Sequence, residues 1–206
     1  MKKHSRFFNV GFIFPWSHPR MRSFNVILLV AGFTVLAITG RAAQLEIDRQ
    51  RSKVEVAVNS TIDSFVGHLE KYQAAVECEP TAALPVKADV SFSFADLKTG
   101  NKDRDAAMLK WLEYDRNQTA SFHLTGWYQA GTTNIALGNL TMHGVTIAVK
   151  MPVVIIHADA AWDISGQTVL NYTDFDLPKI RKALLLTVDS KLKVKFHLTG
   201  KTITAQ

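Results

Sequence analysis

The chain alternates. Val54, Val56 and Val58 are separated by Glu55 and Ala57, with Lys53 ahead of them, and Val90, Phe92 and Phe94 by Ser91 and Ser93. Ala120, Phe122 and Leu124 are separated by Ser121 and His123. Leu192, Val194, Phe196 and Leu198 run against Lys191, Lys193, Lys195 and His197. Period-2 patterning gives each stretch one apolar face, as in strands half-buried against a common interior. Tyr72–Cys78, Asn134–Met142, Val145–Ile155 and Gln167–Tyr172 are further strand candidates. His143-Gly144 falls between two of these runs and suits a tight hairpin, because glycine reaches positive φ without steric cost. Pro80, Pro85 and Gly126 mark other breaks. About eight strands joined by hairpins predict an all-β, antiparallel barrel or sandwich.

One segment departs from alternation. Asp103–Tyr114 (DRDAAMLKWLEY) reads as a short helix, with Asp103 as its N-cap and Asp105 adding negative charge near the first turn. Met108, Leu109, Trp111 and Leu112 crowd one side. A lone helix of this kind is expected to plug one end of a barrel or to lie across its mouth.

Charge changes the picture at the N-terminus. The 206 residues hold 24 Lys plus Arg against 18 Asp plus Glu. Six of the basic residues, and no acid, lie in residues 1–42, so the remainder is balanced at 18 against 18. The basic excess therefore belongs to the leader, and no concentrated basic surface for nucleic acid is expected. Met21-Arg22, the uncharged run Phe24–Thr39 and Gly40-Arg41-Ala42 follow the order of a secretory signal. The reading is a leader over 1–42, with the true start at Met21, the signal over 21–42 and cleavage after Ala42. One domain then occupies 43–206, periplasmic or secreted. The apolar run is short for a membrane span of about 20 residues.

Candidate chemistry is sparse. Cys78 is the one cysteine, so no internal disulfide staples the domain. No HExxH, Cys-His metal spacing, GxSxG elbow or glycine-rich phosphate loop is present. No cofactor and no catalytic residues are expected. The interior is the remaining candidate: an eight-stranded barrel is either filled by its side chains or holds one small ligand, and alternation leaves both open. Its inward faces are apolar, as a site for a long hydrophobic molecule requires.

Several motifs in order resemble the YceI-like family of exported, lipocalin-like β-barrels that bind polyisoprenoid or related amphiphilic lipids. The likeness runs from Leu45 to Gly200. Ser64-Phe65-Val66-Gly67-His68-Leu69 is similar to the family's F-x-G-x-F stretch, with Leu69 for the second aromatic. Lys98–Asp105, followed by Leu109, Trp111, Leu112 and Ala120-Ser121-Phe122, has the spacing of its T-G-x-x-x-R-D segment and short helix. Leu137–Thr146 is similar to its G-x-L-T-x-x-G-V-T hairpin. The chain departs from the pattern at Tyr172, where the family often has Arg, and at Asp176, where it has Gly.

The resemblance implies a lipocalin-like barrel of about eight strands with one short helix, binding a long apolar lipid without catalysis. A polyisoprenoid, an isoprenoid quinone or a similar amphiphile is the implied partner. Phe65, Phe92, Phe94, Leu109, Trp111, Leu112, Phe122, Leu140 and Val194 are the expected lumen residues, and Arg104 and Tyr172 the headgroup residues. Transient membrane contact and a homodimer are further expectations. Two other classes stand beside this one: an enzyme acting on a lipid or quinone through His68 or the Asp103–Asp105 cluster, and a packed-barrel stress or interaction protein.

Overall fold

The structure, a computed structural model, describes residues 43–203 except Ile62, Pro80, Thr81 and residues 183–185. The leader expected over 1–42, its start and its cleavage site lie outside the described residues. Twelve strands follow in chain order: β1 (Ala43–Ile47), β2 (Lys53–Ser60), β3 (Ser64–Leu69), β4 (Gln73–Cys78), β5 (Pro85–Ser93) and β6 (Leu97–Lys98), then, after one helix, α1 (Lys102–Trp111), β7 (Thr119–Ala130), β8 (Thr133–Met142), β9 (Val145–Ala158), β10 (Ala161–Asn171), β11 (Arg181–Lys182) and β12 (Leu186–Ile203).

Every recorded pairing is antiparallel, and the sheet closes. Around the barrel run β1, β4, β5, β7, β8, β9, β10 and β12, and β12 returns to β1. The long β12 takes two partners on one side: β2 beside Val188–His197, and β1 beside Gly200–Ile203. β3 and β6 extend the sheet beyond β2. This is the closed eight-stranded, lipocalin-like barrel with one helix that the alternation and the resemblance predict. Within the eight-stranded ring, closure leaves no free sheet edge to template pairing with other chains.

The strands form where the alternation lies, and several run longer than their clearest pattern. β7 continues six residues past Leu124 because a bulge between Leu124 and Gly126 absorbs one residue. β10 begins at Ala161 rather than Gln167, with Trp162 and Ile164 on its buried face. His143 and Gly144 carry φ of 52° and 76°, so both central residues of the β8–β9 turn are left-handed, the condition for a type I′ hairpin.

The helix is capped by Asn101, not by Asp103. The Asn101 side chain accepts from the Arg104 backbone N–H, and Asp103 instead adds charge in the first turn. Asp105 is turned back to the preceding loop, where its carboxylate accepts from the backbone N–H and hydroxyl of Thr99. The helix itself buries no residue fully. Leu112, just past its end, is buried, and Met108, Leu109 and Trp111 pack partly against Phe94, Tyr172 and Phe175.

Two apolar clusters lie in the barrel. One gathers Leu45, Val76, Cys78, Trp162, Ile164 and Leu198. The other joins Phe94, Ala120 and Met142 of the barrel region to Leu112 and to the 3-10 turn Tyr172–Phe175. That turn is pinned to the β8–β9 hairpin, since His143 Nδ1 donates to the Phe175 carbonyl at 3.1 Å, which fixes the proton on Nδ1.

Candidate functional site

Between the clusters lies a cavity of about 230 Å³. It is reached by inward positions from around the barrel: Val54 and Val56 on β2, Phe92 on β5, Phe122 and Trp127 on β7, Leu140 on β8, Met151 on β9, Leu170 on β10, and Val194 and Phe196 on β12. Thr168 is the one polar side chain among the described lining residues. Lining atoms of an apolar cavity forgo dispersion contacts on the open side. The burial pattern records the same fact. Phe92, Phe122, Leu140, Val194 and Phe196 point inward yet are only half-buried, while Phe94, at the helix end, is 4% exposed. The volume exceeds the roughly 150 Å³ that admits benzene and falls below the roughly 300–1,000 Å³ of drug-sized sites.

Of the nine expected lumen residues, Phe92, Phe94, Phe122, Leu140 and Val194 line this cavity. Leu109, Trp111 and Leu112 are set back from it, in the packing between helix and 3-10 turn. Phe65 shares the inward parity of Leu69 on β3, but the Arg104 guanidinium lies over its ring, 4.0 Å from the centroid. Arg104 is further held by Nε to the Thr99 hydroxyl at 3.0 Å and by an NH2 bond to the Thr99 carbonyl at 3.3 Å. Its other terminal nitrogen stands 3.9 Å from the exposed Asp63.

Tyr172 is 1% exposed, and its hydroxyl accepts from the Ile180 N–H and donates to the Val188 carbonyl. Where the family pattern has Gly, Asp176 sits at φ 58°, in the left-handed region that glycine favours.

Trp127, Met151, Leu170 and Phe196 complete the wall without having been singled out in the sequence. Phe196 shares the parity of Val194 and was legible from it. Trp127 was not: Phe122 and Leu124 are inward on even numbers, and the bulge moves the inward face to the odd-numbered Trp127. The Trp127 indole N–H is satisfied by the Pro85 carbonyl at 2.9 Å, so the ring lines the cavity without presenting an unpaired donor.

The polar groups elsewhere are arranged as wall pairs. His123 meets Asp89 and His197 meets Asp163 across strands, and His68 stands 3.6 Å from Glu55. No three His, Cys, Asp or Glu residues converge as metal ligands among the described residues. A larger groove of about 450 Å³ lies by the β1–β2 turn and the β9–β10 hairpin, but Glu46, Asp48, Arg51 and Lys201 line it and it is open to solvent. The apolar cavity in the lumen is therefore the candidate site.

A closed antiparallel barrel with an apolar lumen and a helix packed at one end is an architecture that can hold an apolar ligand. The chain belongs to the YceI-like domain family, whose model matches residues 45–200. The fold is similar to that of Burkholderia cenocepacia BcnA, with TM-score 0.66 and 22% identity over 76% of this chain and 100% of that one. It is also similar to a polyisoprenoid binding domain from Saccharophagus degradans implicated in plant cell wall breakdown, with TM-score 0.60 and 14% identity over 79% of this chain and 100% of that one. The YCEI protein of Campylobacter jejuni has TM-score 0.54 and 18% identity over 66% of this chain and 84% of that one. No curated protein matches this chain significantly.

Proposed function

We propose that this protein is an exported, non-catalytic carrier or store of a polyisoprenoid or isoprenoid quinone, held with part of its chain in the barrel lumen. The observation that carries the reading is the apolar cavity, whose surface is wholly nonpolar because the Thr168 hydroxyl is turned to the Lys150 carbonyl. The polyisoprenoid-binding domain of similar fold supports the choice of lipid. Export follows from the basic, apolar and small-residue leader, with cleavage after Ala42.

Binding of this kind draws on tail burial. Two isoprene units, about ten carbons, at about 0.8 kcal/mol per CH₂ contribute roughly 8 kcal/mol before the cost of association is subtracted. The cavity is smaller than a complete polyprenyl chain requires, so the remainder lies along the rim. Phe65, Leu109 and Trp111 are the proposed chain contacts there, outside the lumen lining, with the buried Leu112 packed in the cluster at the helix end. Arg104 is the proposed headgroup contact, because one of its terminal nitrogens has only the loose pairing with Asp63. Tyr172 contributes by holding that end in shape, since its hydroxyl is committed to backbone. Transient contact with a membrane surface and association into a homodimer belong to the same proposal.

Trp127 supplies the test. Titrating lipid-stripped protein with a polyprenol or a quinone is expected to change tryptophan emission saturably, with a signal that Trp127→Phe diminishes. A titration that never saturates for any such lipid would overturn the reading.

A further inference from the structure

Two inward positions of the barrel wall carry no side chain. Gly138 lies between Ala136 and Leu140 on β8, and Gly166 between Ile164 and Thr168 on β10, and all four neighbours line the cavity. Rings from adjacent strands occupy the space. Phe122 of β7 lies over Gly138, where an added Cβ would overlap its Cε2 and Cζ. Phe196 of β12 lies over Gly166, where an added Cβ would stand 2.7 Å from its Cε1 and Cζ. Real Cβ atoms do not approach this closely. Inward strand side chains ordinarily stand roughly perpendicular to the sheet, which would send both rings across the bore. Here each ring is folded onto a glycine and remains part of the cavity wall.

We propose that Gly138 and Gly166 set the bore by receiving the Phe122 and Phe196 rings, and that the width so gained selects a methyl-branched isoprenoid chain over an unbranched acyl chain. The inference rests on the chain-binding reading above and adds its selectivity. A narrow polymethylene chain in this bore leaves gaps, and each gap forfeits dispersion contacts. Branch methyls fill them. A side chain at either glycine displaces its ring into the lumen and removes the room for the branches.

The test uses two alcohols of equal main-chain length, geranylgeraniol and unbranched hexadecanol, titrated into lipid-stripped protein. The wild type is expected to prefer the branched alcohol by about tenfold, the worth of roughly two buried methyl groups. Gly166→Ala and Gly138→Ala are expected to bring that ratio to about one or below. Gly126→Ala is the control, because an added Cβ there meets nothing within 4 Å, and it is expected to leave the ratio unchanged. An added Cβ would also crowd the Pro152 carbonyl at Gly166 and the His123 carbonyl at Gly138. Phe196→Leu and Phe122→Leu leave the backbone untouched and are read alongside. Removing a ring widens the bore, so hexadecanol binding is expected to fall several-fold more than geranylgeraniol binding. If the wild type takes up neither alcohol, the chain-binding reading itself falls and this inference with it. If it takes up both, and neither glycine nor ring substitutions move the ratio, the bore assignment alone is overturned.

Discussion

Trp111 meets Tyr172 edge to face, with ring centroids 5.0 Å apart and planes at 83°, and the contact ties the end of the helix to the 3-10 turn. The Trp111 indole N–H extends the tie by donating to the Pro178 carbonyl at 3.0 Å. The segment following β10 is thus held from two sides, by the helix and by the His143 bond to Phe175.

Tyr172→Phe isolates the hydroxyl's share. It keeps the ring contact but leaves the Ile180 N–H and the Val188 carbonyl without their side-chain partner. A destabilisation of about 1–2 kcal/mol is expected in denaturant unfolding, from loss of satisfaction at a part-buried site. A change below about 0.3 kcal/mol would mean that water replaces the hydroxyl.

Asp176→Gly restores the residue that the family pattern has at this place. Asp176 holds φ 58° and ψ 21°, a conformation that costs an L-residue more than glycine. The substitution is expected to stabilise the protein by about 0.5–1 kcal/mol in the same unfolding experiment, with lipid binding unaltered.

Cys78 is fully enclosed, and burial pushes its thiol up to about 11 from the ordinary 9.0. A thiol of that pKa holds roughly a thousandth of its population as thiolate at pH 8, and the thiolate is the reactive form. Iodoacetamide is expected to label the native protein far more slowly than the denatured protein. The folded-state pKa is raised, so the contribution to stability is complete below pH 9 and is lost as pH rises from about 9 toward 11.

Phe122→Asp places a carboxylate in a lumen whose described lining offers no cation and no free donor, the Thr168 hydroxyl being committed to the Lys150 carbonyl. An unpaired charge in such surroundings costs several kcal/mol. Lipid uptake is expected to fall at least tenfold while circular dichroism still reports a folded barrel. Undiminished uptake by the folded variant would remove Phe122 from the binding surface.

Much of the barrel was legible because alternation with charged residues leaves little doubt about facing. On β12, Lys191, Lys193 and Lys195 stand outward, and Leu192, Val194, Phe196 and Leu198 line the cavity. What the pattern concealed came from specific side-chain contacts, some local and some distant in sequence. The sequence pattern predicts a strand over Gln167–Tyr172, leaving Gly166 outside it. In the fold Gly166 is mid-strand, because the Phe196 ring fills the place of its side chain. Asp103 is the expected N-cap, but Asn101 takes the position, two residues earlier, and the nearby Asp105 is drawn to Thr99. Phe65 has the parity of a lumen residue, and only the folded chain brings Arg104 over its ring. The two-residue strands β6 and β11 are too short to show a period at all.

The central claim is that the lumen carries an isoprenoid chain. It is tested most directly by purifying the protein from its native host, extracting it with organic solvent and weighing the extract by mass spectrometry. The account expects one isoprenoid or isoprenoid quinone in amounts approaching one per chain. A blank extract, with no uptake when such lipids are offered back to the folded protein, would contradict it.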